Sequence, residues 1–215
     1  MKNRDQLIAV EGYPFIGLFA FIALFCAALE WSFLAILFFA LTLFSIYFFR
    51  NPERVPPAGD EKIVAPADGK IIFVGKVPES RYFEGNDVTK VSIFMNVFDV
   101  HINRVPISGR VIDQFYNPGR FFNASLDKAS LENEQAGMLI ETRTGQTILC
   151  VQIAGLVARR IVTYAEIGDE IERGQRYGLI RFGSRVDLYL PEGVAVEARV
   201  GERTVAGETV LGSLS

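Results

Sequence analysis

Histidine is almost absent from this chain: His101 is the only one in 215 residues. Cysteine is nearly as scarce, with Cys26 in an apolar stretch and Cys150 in a strand-like one. One histidine and two separated cysteines make neither a zinc-ligand cluster nor a disulfide framework, so no metal is expected. Net charge is −3 and no basic stripe runs along the chain, which argues against a nucleic-acid partner. With a single imidazole, acid–base chemistry near neutral pH rests on His101, or on a carboxylate, lysine or tyrosine with a displaced pKa. A lone histidine is equally an ordinary structural residue, and both readings stand at this point.

Charge is missing from one long region. Between Pro14 and Phe49 the only charged residue is Glu30, and phenylalanine is concentrated there. One helix over this run would be about 54 Å long at 1.5 Å per residue, against a hydrocarbon core of roughly 30 Å. A break at Glu30-Trp31-Ser32 gives two helices, about 14–29 and 33–49, with Trp31 at an interface. Lys2 and Arg4 flank one end, Arg50 and Arg54 the other, so a hairpin with both ends cytoplasmic is predicted; the alternative is a single tilted helix with Glu30 buried against a polar partner. A secretory signal is not predicted: the apolar run is too long, and no small-residue cleavage site follows it. The expected organisation is a membrane hairpin over 1–50, a Pro-rich linker over 51–61 and a globular part over 62–215.

The globular part reads as short strands. KIVAPADGKIIFVGKV (62–77) is two β-rich runs around the turn signal Pro66-Ala67-Asp68-Gly69, and 137–155 is a hairpin around Thr144-Gly145. GDEIERG (168–174) and GERTVAG (201–207) place glycines six apart around acidic residues. Such paired turns are the look of a lipoyl or biotinyl type of β-domain with quasi-symmetric halves. The fold class is therefore mainly β: a compact β-sandwich or barrel-like domain with lipoyl-like features, preceded by an α-helical membrane hairpin.

The stretch GLIRFGSRVDLYLP (178–191) has strand-like alternation, yet Gly183-Ser184 interrupts it. A hydrolase serine sits in G-x-S-x-G on a strand-to-helix elbow, whereas here the frame is F-G-S-R-V and β pattern continues. Another chemistry needs the Gly-Ser bond itself. The serine hydroxyl attacks the preceding carbonyl, the amide becomes an ester, and elimination cuts the chain. Dehydroalanine is left, and it hydrolyses to a pyruvoyl group. Gly183 suits a strained, exposed backbone. Asp68 is accounted for equally well as turn chemistry. Arg159 and Arg160 suit a phosphate or a solvated strand end. Phe121 and Phe122 suit a lip at the membrane or ordinary core.

Together, PADG (66–69), DVHINRVPISG (99–109), the NPG turn (117–119) with FFNASLDKASLENE (121–134), GLVARRIV (155–162) and RFGSRVDLYLP (181–191) resemble phosphatidylserine decarboxylase, in its short membrane-associated prokaryotic form. The resemblance covers nearly the whole chain. It implies self-cleavage between Gly183 and Ser184 into a β chain (1–183) and an α chain (184–215) that stay together as a heterodimer because the severed strand remains paired. A further oligomer is left open. A covalent pyruvoyl cofactor made from Ser184 is implied, with decarboxylation of phosphatidylserine to phosphatidylethanolamine through a Schiff base. Asp68 and His101 match two residues that assist the family's chemistry, while its second histidine falls on Arg104, so the long form's relay does not carry over intact. Leu211-Gly212-Ser213-Leu214 mimics the long form's Leu-Gly-Ser-Thr but is followed by no strand. Arg159, Arg160, Phe121 and Phe122 are candidate substrate contacts, no further cofactor is implied, and the catalytic part is expected on the cytoplasmic side of the cell membrane. Two rivals lack this support: a membrane-anchored β-domain acting as an adaptor, which gives Ser184 no role, and a tethered serine hydrolase, which predicts an uncut chain.

Overall fold

The computed structural model describes residues 6–79, 81–84, 87–119, 133–155, 160–181 and 184–214. The chain forms two compact units, residues 1–53 and 54–215.

In the first unit, α1 (Tyr13–Ala28) continues a 3₁₀ turn (Val10–Gly12), and α2 (Ser32–Phe48) runs back beside it. The reversal needs Glu30 in the left-handed region, at φ 60°. The other end of the pair is closed by Ala9 N–H donating to Phe49 O (2.8 Å) and Asn51 N–H donating to Leu7 O (2.8 Å). Apolar residues surround both helices, and Phe21, Leu24, Phe33, Ile36 and Phe39 are all exposed. A helix apolar all round is built for an apolar solvent. Thr42 and Ser45 satisfy their hydroxyls on the carbonyls of Phe38 and Leu41, at 2.8 Å each. By length and composition one helix, Val10–Ala28, is long and apolar enough to cross a membrane.

The second unit is β. Its strands are β1 (Lys62–Val64), β2 (Gly69–Pro78), β3 (Asp87–Met95), β4 (Ile102–Arg104), β5 (Gly109–Asn117), β6 (Gln135–Thr142) and β7 (Thr147–Ala154). They continue with β8 (Ile161–Thr163), β9 (Glu170–Ile171), β10 (Arg176–Ile180), β11 (Ser184–Leu190), β12 (Ala195–Val196), β13 (Arg203–Thr204) and β14 (Val210–Ser213). Eight of them form one sheet in the order β13-β2-β3-β11-β7-β6-β5-β9. Two three-stranded sheets, β1-β14-β12 and β4-β10-β8, complete the unit. Alternation sets the faces of the large sheet. Val91, Ile93, Ile148, Cys150, Val186 and Leu188 enter the main core, while Leu139, Leu149, Val151 and Ile153 form a smaller apolar layer on the opposite face.

The order of the large sheet is a palindrome of equivalent strands, and the glycine echo is its sequence trace. Gly168 and Gly201 both have φ 97°, and Gly174 and Gly207 have φ 77° and 80°. Their N–H groups bond equivalent carbonyls: Val111 and Ile71 for the first pair, Val105 and Ala65 for the second, all at 2.8 Å. β2 and β5 each carry a register shift, at Ile71/Phe73 and at Val111/Asp113. Gly69 and Gly109 each lie so close to a neighbouring carbonyl, of Phe94 and of Glu141, that a Cβ would sit at 2.2 Å from its oxygen.

The two β-rich runs flank the PADG turn as expected and join different strands, β1 pairing with β14 and β2 with β3. The stretch 178–191 is not one strand: β10 ends at Ile180, β11 begins at Ser184, and the two belong to different sheets. Each part is strand-like by itself, so periodicity alone does not reveal the change of sheet.

On β11, Arg185 and Asp187 point away from the main core yet are only 2% and 0% exposed. Arg185 Nη2 donates to Asp187 Oδ2 at 2.8 Å, and Nε lies 2.8 Å from Oδ1. Removing one partner strands the other charge in a buried site, so Asp187→Ala should cost about 3–5 kcal/mol in urea unfolding; an unchanged midpoint would contradict the buried pairing. Burial also pushes the Cys150 thiol up to about 12 and raises the phenols of Tyr177 and Tyr189. These groups stay protonated in the folded chain while the unfolded chain ionises them. Stability should therefore hold below about pH 9 and fall as pH rises toward about 12. The check is the urea midpoint across that interval, and a flat midpoint would refute it.

Candidate active site

Ser184 is the first residue of β11 and is fully buried. It is paired on both sides, opposite Met95 of β3 and Ala154 of β7. Its side chain shares the face of Val186 and Leu188, toward the main core. Its Oγ lies 4.0 Å from Met95 Sδ, the one side-chain partner it has among the described residues. A thioether is a weak acceptor, so a buried hydroxyl is left without a strong bond. Gly183 lies outside the described residues.

His101 reaches the same end of the sheet from two directions. Met95, opposite Ser184, leads into a short loop that ends at His101. Ile180, four residues before Ser184, donates its N–H to His101 O at 3.4 Å. The loop is held by Asn96 N–H donating to Asp99 Oδ2 (2.9 Å) and Phe98 N–H donating to Asn96 Oδ1 (2.8 Å). Arg203 pairs with the other oxygen of Asp99. His101 is 2% exposed, and its Nδ1 lies 2.9 Å from Asp99 O. A carbonyl only accepts, so Nδ1 carries the proton and Nε2 is the basic nitrogen.

Asp68 ends the turn that enters β2. Gly69 is pressed against the Phe94 carbonyl, which brings the turn to the end of β3 where Met95 lies. Asp68 Oδ1 accepts Ala206 N–H at 2.7 Å and Oδ2 accepts Arg54 Nη2 at 3.2 Å, while Arg54 also holds Glu208. In the equivalent half, Ser108 Oγ accepts Arg173 N–H at 3.0 Å. The same turn is thus built with an acid in one half and a hydroxyl in the other. The turn needs only an acceptor at this place, and the carboxylate is more than it requires.

Arg104 is 4% exposed and donates from Nη1 to Gly174 O at 2.7 Å. It braces a turn. Arg160 is exposed at the start of β8, and its carbonyl accepts Arg181 N–H at 3.4 Å. Arg159, Phe121 and Phe122 lie outside the described residues. Gly212 of the decoy has a packing explanation: a Cβ there would meet Ala195 O at 2.4 Å. A pocket of about 380 Å³ lined by Lys90, Phe115 and Tyr189 opens on the opposite face of the large sheet from Ser184.

Sequence reading passed over two buried polar residues at this end, Asn103 and Gln152, and the exposed Thr163 bonded to them. Asn103 Nδ2 reaches Met95 Sδ at 3.6 Å, Gln152 Nε2 donates to Asn103 Oδ1 at 2.8 Å, and Thr163 Oγ1 donates to Gln152 Oε1 at 3.2 Å. The signal for Gln152 was present: in TILCVQIA it occupies a position whose strand neighbours at spacing two, Cys150 and Ala154, are core.

The chain matches the family described as phosphatidylserine decarboxylase over residues 41–212. It is 61% identical to the phosphatidylserine decarboxylase proenzyme of Syntrophotalea carbinolica and 52% identical to that of Geotalea uraniireducens, each over the full length of both chains. A Geobacter relative carrying the same name is 55% identical, again over both full lengths. A likeness that runs from end to end, and includes the segments that meet around Ser184, shows that this chain belongs to the phosphatidylserine decarboxylase family of carboxy-lyases.

Proposed function

We infer that the chain is a proenzyme that cuts itself between Gly183 and Ser184 and then decarboxylates phosphatidylserine to phosphatidylethanolamine. The observation that carries this reading is Ser184 itself: a buried hydroxyl whose one side-chain partner among the described residues is a thioether, at the first residue of a strand held on both sides. Cutting before Ser184 breaks no strand pair of β11. The piece 184–215 keeps β11 between β3 and β7, β13 on β2 and β14 on β1. The relatives' name, proenzyme, is consistent with such a cut.

The cut balances as follows. Ser184 Oγ bonds to the carbonyl carbon of residue 183 and gives up its proton. The C–N bond breaks as the nitrogen of Ser184 gains a proton, leaving an ester. Loss of the Cα proton and of the ester oxygen from Cβ leaves a carboxylate on Gly183 and dehydroalanine at 184. Water then replaces nitrogen as ammonia. The resulting pyruvoyl group supplies a ketone for the amine of the serine headgroup and, beside it, an amide as an electron sink. The buried apolar surroundings disfavour the substrate carboxylate and favour its loss as CO₂. His101, oriented through Asp99 O, takes a proton on Nε2 and returns it to the carbon that lost CO₂. Asp68 acts at the same end, held by Ala206 N–H and Arg54.

In this reading residues 1–50 are a membrane hairpin, 51–61 a linker and 62–215 the catalytic part on the cytoplasmic side. That arrangement keeps the site near the lipid headgroups. Arg159, Arg160, Phe121 and Phe122 are the substrate contacts in this reading, the arginines by charge for the lipid phosphate and the phenylalanines for its apolar part. Ser184→Ala should stay a single chain and release no CO₂ from phosphatidylserine, whereas Ser213→Ala should be cut as the wild type is. Gel analysis with a ¹⁴CO₂-release assay reads both, and an active Ser184→Ala chain would refute the site. In the processed enzyme, His101→Ala should lower turnover by about 10²- to 10⁴-fold, and turnover at the wild-type rate would remove His101 from the chemistry.

A further inference from the structure

Thr163, Gln152 and Asn103 form a hydrogen-bonded chain with a direction. Thr163 donates to the Gln152 oxygen, and the Gln152 nitrogen donates to the Asn103 oxygen. That bond leaves Asn103 Nδ2 as the outward end of the chain, since an amide that accepts on Oδ1 presents its N–H groups on the other side. Asn103 is fully buried and Gln152 is 1% exposed. A buried amide N–H ordinarily finds an oxygen, because leaving it unmatched costs roughly 1–3 kcal/mol. Here it finds the Met95 sulfur at 3.6 Å, and the same sulfur lies 4.0 Å from Ser184 Oγ. One thioether thus separates an underused donor from an underused hydroxyl. Successive hydrogen bonds polarise each other, so the chain strengthens the terminal N–H.

We propose that Asn103 is a positioning donor for residue 184: with Gln152 and Thr163 fixing its orientation, it places an N–H on the oxygen that gains charge when Ser184 reacts. Met95 is the soft spacer that yields to it, as an unbranched thioether does most easily. The inference rests on the self-cleavage reading above and adds residues to it.

The test follows cleavage of the full-length chain, made by cell-free synthesis into phosphatidylglycerol nanodiscs, by intact mass against time. Asn103→Leu removes the donor and should slow cleavage by about 10²- to 10³-fold, the usual loss for one such donor. Gln152→Glu keeps the volume but offers Asn103 a carboxylate, which turns the amide over and points its oxygen at residue 184. It should slow cleavage comparably while the chain stays folded by circular dichroism. Thr163→Val should slow it roughly 3- to 10-fold, and Thr163→Ser should restore the wild-type rate. In whatever fraction is processed, kcat should fall with KM unchanged.

Wild-type cleavage in Gln152→Glu and Asn103→Leu overturns this proposal and leaves the reading of Ser184 intact. A wild-type chain that never cuts overturns both. Should Asn103→Leu fail to fold, Gln152→Glu and the two Thr163 variants decide: equal rates among them and the wild type refute the donor.

Discussion

The candidate site depends on β11 being a central strand. A strand at a sheet edge would present Ser184 to water and would lose its hold once the backbone before it was cut. β11 instead bonds to β3 along one side and to β7 along the other, from its first residue onward. Register then does the positioning, because a one-residue slip would send Ser184 to the opposite face of the sheet and bring Arg185 into the core. The buried Arg185–Asp187 pair opposes such a slip, since the core has no place for either charge. The strand is therefore a fixed platform for Ser184, its first residue.

Around that platform the fold repeats itself. Two halves supply equivalent turns, glycines and register shifts, so the framework is indifferent to which half reacts. The candidate site occupies one half only. Asp68 takes the place of Ser108, and the end of β3 leads to His101 through a loop held by Asp99. Arg104, at the position of the long form's second histidine, holds a turn carbonyl from the second half.

Local features were legible in the amino-acid sequence. The charge-free run, the Thr144-Gly145 turn and the two glycine patterns are each set by residues close in the chain. What stayed hidden depends on long-range pairing. β10 and β11 are both strand-like and close in the chain, so together they looked like a single strand. Asn103 and Gln152 lie far apart in sequence and meet only because β4 and β7 are brought together in space. As single polar residues in apolar strands, neither announced a partner. Ser184 stood out because a Gly-Ser pair interrupts a strand-like pattern, whereas Gly212-Ser213, identical as a dipeptide, is explained by the close approach of Ala195 O.

Intact mass of the wild-type chain, purified from membranes and denatured, tests the central claim most directly. Two species are expected, 1–183 with a free carboxylate and 184–215 opening on a pyruvoyl group that resists Edman degradation. A single chain at the full mass, from a preparation that decarboxylates phosphatidylserine, would contradict it.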